Sequence, residues 1–231
     1  MKKIFLSACL LASAAVSMAQ MPKKGDHSFT FGTSGINIIS PSTNNHPTGT
    51  LLFRHYIKDD MAVRLGVNYG SLSSKTSQAG YIGDSITSSS SSSNFNISLG
   101  FQKNFKGTAK LEPYIGADLF VGMGNSKAKS TIVDAGLGST ATIDTKNGAT
   151  NSFGFIPCVG FNYYITNWLA VGAEFGWGFV SNSTAAGTNT TTVVTSTSTT
   201  TMVANSPKSS SSGFGTIGSG LITVTVAFNH K

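Results

Sequence analysis

Residues 153–180 read FGFIPCVGFNYYITNWLAVGAEFGWGFV. Two long arms flank a polar break at Thr166-Asn167. In the first arm Phe153, Phe155, Pro157, Val159, Phe161, Tyr163 and Ile165 hold the odd positions. Gly154, Ile156, Cys158, Gly160, Asn162 and Tyr164 hold the even ones. The second arm repeats the pattern, with Leu169, Val171, Ala173, Phe175, Trp177 and Phe179 against Ala170, Gly172, Glu174, Gly176 and Gly178. Side chains of a strand alternate between two faces. One face of this hairpin is therefore continuously apolar and aromatic, and the other is small or polar with one carboxylate. A core strand of a soluble protein runs about 5–6 residues, whereas a tilted strand crossing a bilayer needs about 9–11. The arms fit the longer measure and read as two staves of a membrane barrel, with lipid outside and a polar lumen inside.

Composition agrees with that reading. Charged residues make up 11% of the 231, against about 25% in soluble domains. Hydrophobic residues are 39%, too few for a helical membrane protein, and glycine is abundant at 26. After the N-terminus, no stretch approaches the roughly 18 apolar residues of a spanning helix.

The N-terminus reads as a secretory signal over residues 1–19. Lys2 and Lys3 form its basic start, residues 4–16 its apolar segment, and Ser17-Met18-Ala19 its cleavage site. Leu6-Ser7-Ala8-Cys9 also has a lipobox-like form, but the apolar run before Cys9 is too short for that reading. Residues 20–231 are then the barrel domain. Export leaves one cysteine, Cys158, which has no internal disulfide partner and reads as a small lumen filler. The positive charge is scattered over strand ends and turns and lacks the clustered basic stripe of a nucleic-acid surface. Lipid headgroups are its simpler partners.

The rest of the chain repeats the alternation. Strand one starts at His27-Ser28 and runs towards Ile39, and a loop by composition covers residues 40–47. Strand two (48–57) turns at Lys58-Asp59-Asp60 into strand three (61–70). Strand four covers 94–105, strand five 111–124, the opening hairpin supplies strands six and seven, and strand eight runs over 213–229. Residues 71–93, 125–151 and 182–212 are rich in Ser, Thr and Asn and read as long, flexible external loops. Asn147-Gly148 is a local turn signal within the second. The Thr-rich residues 190–203 have high β propensity. They extend strands seven and eight as a ribbon above the membrane, or add a hairpin and make ten strands. Long and short connections alternate, as in outer-membrane barrels with short periplasmic turns and long outer loops. The expected fold is all-β: an eight-stranded antiparallel up-and-down barrel.

The same parity places Arg54, Arg64, Glu112, Asp118 and Glu174 on the inner face. Arg54 and Arg64 are symmetric about the 58–60 turn, so they should lie opposite each other and draw on the three carboxylates. The expected arrangement is a charge network plugging the lumen, because buried charges must be paired. A gated ion path through the same residues is the sharper alternative. Eight strands enclose only enough room for side chains, which argues against a wide pore. No nucleophile–base pair, phosphate loop or metal-ligand spacing stands out, so neither an enzyme nor a cofactor is expected. A barrel enzyme acting on lipid is the least favoured reading.

On the signal segment, the eight alternating strands, the hairpin joining Arg54-His55-Tyr56 to Arg64-Leu65-Gly66 and the final strand 221–228, the chain resembles the small bacterial outer-membrane β-barrel proteins of the OmpA/OmpX type, the "porin family". The last strand resembles the signal read by the barrel-assembly machinery, except that Asn229-His230-Lys231 follow Phe228. The Ala19-Gln20 junction is similar to bacteroidete precursors, and Asp84-Ser85-Ile86 resembles a bacteroidete O-glycosylation acceptor. The resemblance implies a place in the outer membrane and the barrel fold; the Ser/Thr loops themselves read first as a solvated external fringe, with contact to an extracellular ligand as the alternative. The resemblance implies no particular activity.

Overall fold

The computed structural model describes residues 22–34, 48–80, 83–216 and 221–228. The expected signal segment, the 40–47 loop and the C-terminal Asn229-His230-Lys231 lie outside them. Among the described residues there are twelve strands: β1 (His27–Ser34), β2 (Thr48–Lys58), β3 (Met61–Ala79), β4 (Ser85–Asn104), β5 (Leu111–Asp134), β6 (Ser139–Lys146), β7 (Thr150–Tyr164), β8 (Leu169–Thr184), β9 (Gly187–Val194), β10 (Thr199–Ser206), β11 (Ser209–Thr216) and β12 (Leu221–Phe228).

Eight of these close a ring. Each of β1 to β4 pairs with the next, β5 pairs with β7, β7 with β8, β8 with β12, and β12 returns to β1, all antiparallel. The eight-stranded barrel expected from the sequence is what the chain forms, and the ten-stranded alternative is not.

The outer face of the ring carries the apolar residues of each strand, odd-numbered on most strands and even-numbered on β12. Phe31, Leu65, Leu99, Phe101, Leu119, Val121, Phe153, Phe161 and Val224 are all exposed. In water such a surface would be an aggregation hazard; around a barrel it is the lipid face. The inner face is buried and polar, including Ser28, Thr30, Gln102, Asn104, Asn162, Thr223 and Thr225. The hydrophobic core of a soluble protein is thus turned inside out.

The three expected external loops need correction, because most of their residues are paired strands. The β3–β4 pairing runs without a break from Met61↔Lys103 to Ala79↔Ser85. That range includes the run of six serines, Ser88 to Ser93. Strand β5 continues past the ring to pair with β6, β6 pairs with β9, and β9 with β10. The order β3-β4-β5-β6-β9-β10 makes a six-stranded sheet that carries one side of the barrel wall outward. Strand β11 extends β12 along β8. The Thr-rich residues 190–203 do form strand, as their β propensity suggests, but as a separate hairpin, β9–β10, docked on β6: they neither extend β8 and β12 nor enter the ring.

Asn147-Gly148 also needs correction. It is no chain reversal: it lies between β6 and β7, two segments that share β5 as a partner. The reversal comes earlier, at residues 135–138, where the Asp134 Oδ1 accepts a hydrogen bond from the Leu137 N–H at 2.9 Å, the local bonding that suits Asp to turns. Sequence reading missed the ribbons because serine has little strand preference of its own. What holds them is ladder pairing plus cross-strand hydroxyl contacts such as Ser74–Ser90 at 2.8 Å and Thr192–Thr201 at 3.4 Å.

At the opposite end the connections are tight. Lys103 interrupts the apolar face of β4 near its end and forms an ion pair with Asp60 of the β2–β3 turn. The hydrogen bond from the Lys103 ammonium holds the Asp60 carboxyl below its ordinary value. His55 has the outward parity of β2 near the turn and stacks on His27, with ring centroids 4.7 Å apart.

Candidate functional site: the charged lumen

All five charges expected inside the barrel are inside. Arg54, Arg64, Glu112 and Asp118 are buried and Glu174 is half-buried. Arg54 and Arg64 are direct cross-strand partners. Beyond that the five divide into two groups.

The first group is built on Arg64. Its guanidinium meets Glu174 in a two-pronged contact: Nη2 donates to Oε1 at 2.9 Å, and Nη1 lies 2.9 Å from Oε2. This fork geometry gives arginine–carboxylate pairs both strength and orientation. Nη2 also lies 3.0 Å from Asp118 Oδ2. Nη1 reaches the Cys158 sulfur at 3.3 Å. The Tyr114 hydroxyl donates to Glu174 Oε2 at 2.9 Å and fixes the carboxylate from the far side. Cys158 does pack as a small, buried lumen residue.

The second group is built on Glu112, and here the expectation of Arg–carboxylate pairing fails. Among the described residues Glu112 meets no guanidinium within ion-pair distance. Its oxygens accept instead from Asn104 Nδ2 at 2.8 Å, Asn162 Nδ2 at 3.0 Å and the Tyr164 hydroxyl at 3.0 Å. Gln102 joins the groups, donating to Asn104 at 2.7 Å while its carbonyl lies 3.5 Å from Arg64 Nη1.

Arg54 stands between the two groups. Nη1 donates to Thr30 Oγ1 at 2.6 Å, and the guanidinium carbon sits 5.4 Å from the centre of the Tyr114 ring, within the range of a cation–π contact. Its Nε and Nη2 have no hydrogen-bond partner among the described residues. An aromatic face and one hydroxyl thus take the place of the expected carboxylate.

Two glycines explain how neighbours that are not adjacent come to touch. Strand β4 separates Arg64 from Asp118, and the β4 residue between them is Gly100, registered with both. A Cβ there would lie 2.0 Å from Asp118 Oδ1. Strand β7 separates Tyr114 from Glu174, and the intervening residue is Gly160. A Cβ there would lie 2.5 Å from the Tyr114 ring. In each case a bare backbone lets two long side chains meet over it. The polar members Tyr114, Gln102, Asn104, Asn162, Tyr164 and Thr30 share the inward parity of the charges, so the same alternation that found the charges marks them too.

Asp118, Cys158 and Glu174 bring three ligand-type atoms within 4.8 Å of one another. They are far apart in sequence, so spacing gave no hint of it. Arg64 contacts all three and supplies the positive charge that the cluster requires. The described residues therefore read as an arginine cage and not as a metal cage.

The Putative OmpA-OmpF-like porin family matches residues 54–178, more than half of the chain and the part that holds all five lumen charges. No curated protein matches the sequence. Among solved structures, outer membrane protein OprG from Pseudomonas aeruginosa is 12% identical, with 90% of this chain and 98% of that one covered and a TM-score of 0.49. Ail, the attachment invasion locus protein of Yersinia pestis, is 10% identical, with 89% and 99% covered and a TM-score of 0.43. Neisserial surface protein A is 12% identical, with 88% and 95% covered and a TM-score of 0.34. These identities are too low to carry an activity across. The closed ring, its apolar outer face and the family match agree, and the chain belongs to the OmpA-OmpF-like porin family, a small β-barrel of the bacterial outer membrane.

Proposed function

We propose that this protein is a closed, non-enzymatic barrel that holds a stiff β-sheet above the outer-membrane surface as a structural or interaction platform. The observation that carries this reading is the forked Arg64–Glu174 pair with Asp118 on its flank. It spans the lumen from β3 to β5 and β8. On its turn-ward side Tyr56, Asn104, Glu112 and Tyr164 are buried, leaving a plug where a conduit would need water. An eight-stranded ring holds little more than such side chains. The ribbons suit a platform, since they are paired strands and so present a fixed face to a partner.

A narrow ion channel is the second reading. It is favoured by the unpartnered Nε and Nη2 of Arg54 and the unpartnered Oδ1 of Asp118, polar atoms inside the lumen with bonding capacity to spare. Conductance across planar bilayers separates the two. The platform reading expects silence from the native protein. Steady unitary currents that change with Glu174→Gln would sink it and establish the channel.

A further inference from the structure

The ribbons carry a charge pattern that the lumen plug does not use. Strand β5 passes from ring to ribbon without a slip, its register with β4 unbroken from Asn104↔Tyr114 to Ser85↔Val133. The outward parity of Leu119, Val121 and Met123 therefore continues to Lys127 and Lys129. Strand β3 is equally continuous, from Leu65 to Lys75. Lys127 is the direct partner of Lys146 on β6, and Lys75, Ser89 and Lys129 form one row across β3, β4 and β5. All four lysines are exposed. Asp144, opposite Lys129, is the one acid that shares this patch, and it makes no ion pair among the described residues. Like charges placed directly opposite each other on neighbouring strands destabilise a sheet. The Lys127–Lys146 juxtaposition therefore calls for an anion from outside the chain.

The height of the patch says which anion. Lys127 lies four residues beyond Met123, where the apolar belt of β5 ends. At about 3.4 Å per residue and a tilt of about 45°, that is about 10 Å above the hydrocarbon. The headgroup layer is about 5–8 Å deep on each side. Lysine stems can reach down to it while keeping their ammonium groups wet. The patch faces sideways, along the membrane and away from the barrel axis, so the nearest anions beneath it are those of the headgroup layer, within reach of the lysine stems. We propose that Lys75, Lys127, Lys129 and Lys146 bind the phosphorylated saccharide headgroup of the outer-leaflet glycolipid and so anchor the base of the ribbon sheet. This goes beyond the platform reading and holds whether or not the lumen conducts.

The test uses the full mature chain in nanodiscs of phosphatidylcholine alone, with added lipopolysaccharide, with the same glycolipid stripped of its saccharide phosphates, or with phosphatidylglycerol at equal charge. The readout is the temperature at which the folded, fast-migrating gel band is lost. Lipopolysaccharide is expected to raise that temperature by several degrees, less so as salt increases, and dephosphorylated glycolipid is expected to leave it unchanged. The Lys127→Glu/Lys146→Glu double variant should lose most of the rise, while Lys106→Glu/Lys110→Glu at the other end of the barrel should keep it. The proposal is overturned if the Lys127/Lys146 variant responds like the native protein, if removing the phosphates changes nothing, or if phosphatidylglycerol does as well. Folding of each variant is checked in phosphatidylcholine, and Lys127→Gln/Lys146→Gln replaces any charge reversal that does not fold there.

Discussion

Arg54 and Arg64 are direct cross-strand partners in the lumen, yet only Arg64 is paired with carboxylates. The two guanidiniums should therefore respond unequally to the same substitution. Removing one partner of a buried ion pair leaves an uncompensated charge and costs about 3–5 kcal/mol. Arg64→Met strands both Asp118 and Glu174 and should destabilise the barrel by that amount. Arg54→Met gives up one hydrogen bond to Thr30 and a contact with the Tyr114 ring, but it also relieves two buried N–H groups without partners. Those effects are each about 1–3 kcal/mol and opposed, so Arg54→Met should be near neutral. Urea unfolding in detergent micelles, followed by gel mobility, measures both. Equal losses at the two sites would contradict the division of the lumen into a paired and an unpaired arginine.

Parity in residues 153–180 was enough to read the barrel, because a period of two that separates lipid from lumen is written into every stave. The same parity put all five charges inside. It could not pair them. Which carboxylate reaches Arg64 depends on strands two and four places round the ring, and that depends on ring closure and on where Gly100 and Gly160 fall in the register. Glu112 was expected to serve an arginine and instead serves Asn104, Asn162 and Tyr164. The ribbons were hidden for a different reason. Ser88 to Ser93 carries no hydrophobic signal, and its strand structure comes from β3 and β5 on either side.

Gly160 lies under the contact that holds Glu174 in place. In Gly160→Ala the new methyl would sit 2.5 Å from the Tyr114 ring and 2.7 Å from the Ala173 carbonyl. Overpacking of this kind costs about 1–3 kcal/mol, and here it also tilts the Tyr114 hydroxyl away from Glu174. Gly213 of β11 has open space around it, so Gly213→Ala should stay within about 0.5 kcal/mol of the native protein. The two variants, unfolded side by side in urea, separate the loss of a glycine from the crowding of a particular lumen row.

Leu119 and Val203 are equally exposed, at 64% and 66%, but one is in the wall of the ring and the other in the ribbon strand β10. Exposure to hydrocarbon and exposure to water differ for a charged side chain. Leu119→Arg should cost about 2–4 kcal/mol, the range for arginine at the bilayer midplane on a barrel face. Val203→Arg should change stability by less than about 0.5 kcal/mol, as surface substitutions usually do. Unfolding in lipid vesicles reads the difference, and similar costs would move the membrane boundary away from the end of the apolar belt.

The ring closes without β9 or β10. Each ring strand has both its neighbours among β1 to β5, β7, β8 and β12. The lumen contacts of Arg54, Arg64, Glu112, Asp118 and Glu174 are made entirely by those strands. Removing residues 188–205 and closing the gap with a short turn should therefore leave a barrel that inserts, migrates faster when unheated and keeps its urea midpoint close to that of the full chain. The β6 edge, which β9 covers in the native protein, becomes a bare strand edge, a template for pairing with another chain. Because β10 is already a bare edge of the same length in the native protein, the shortened protein should self-associate in detergent no more than the full chain, read by light scattering. Loss of the heat-dependent mobility shift would mean that the ribbon is part of what holds the ring closed.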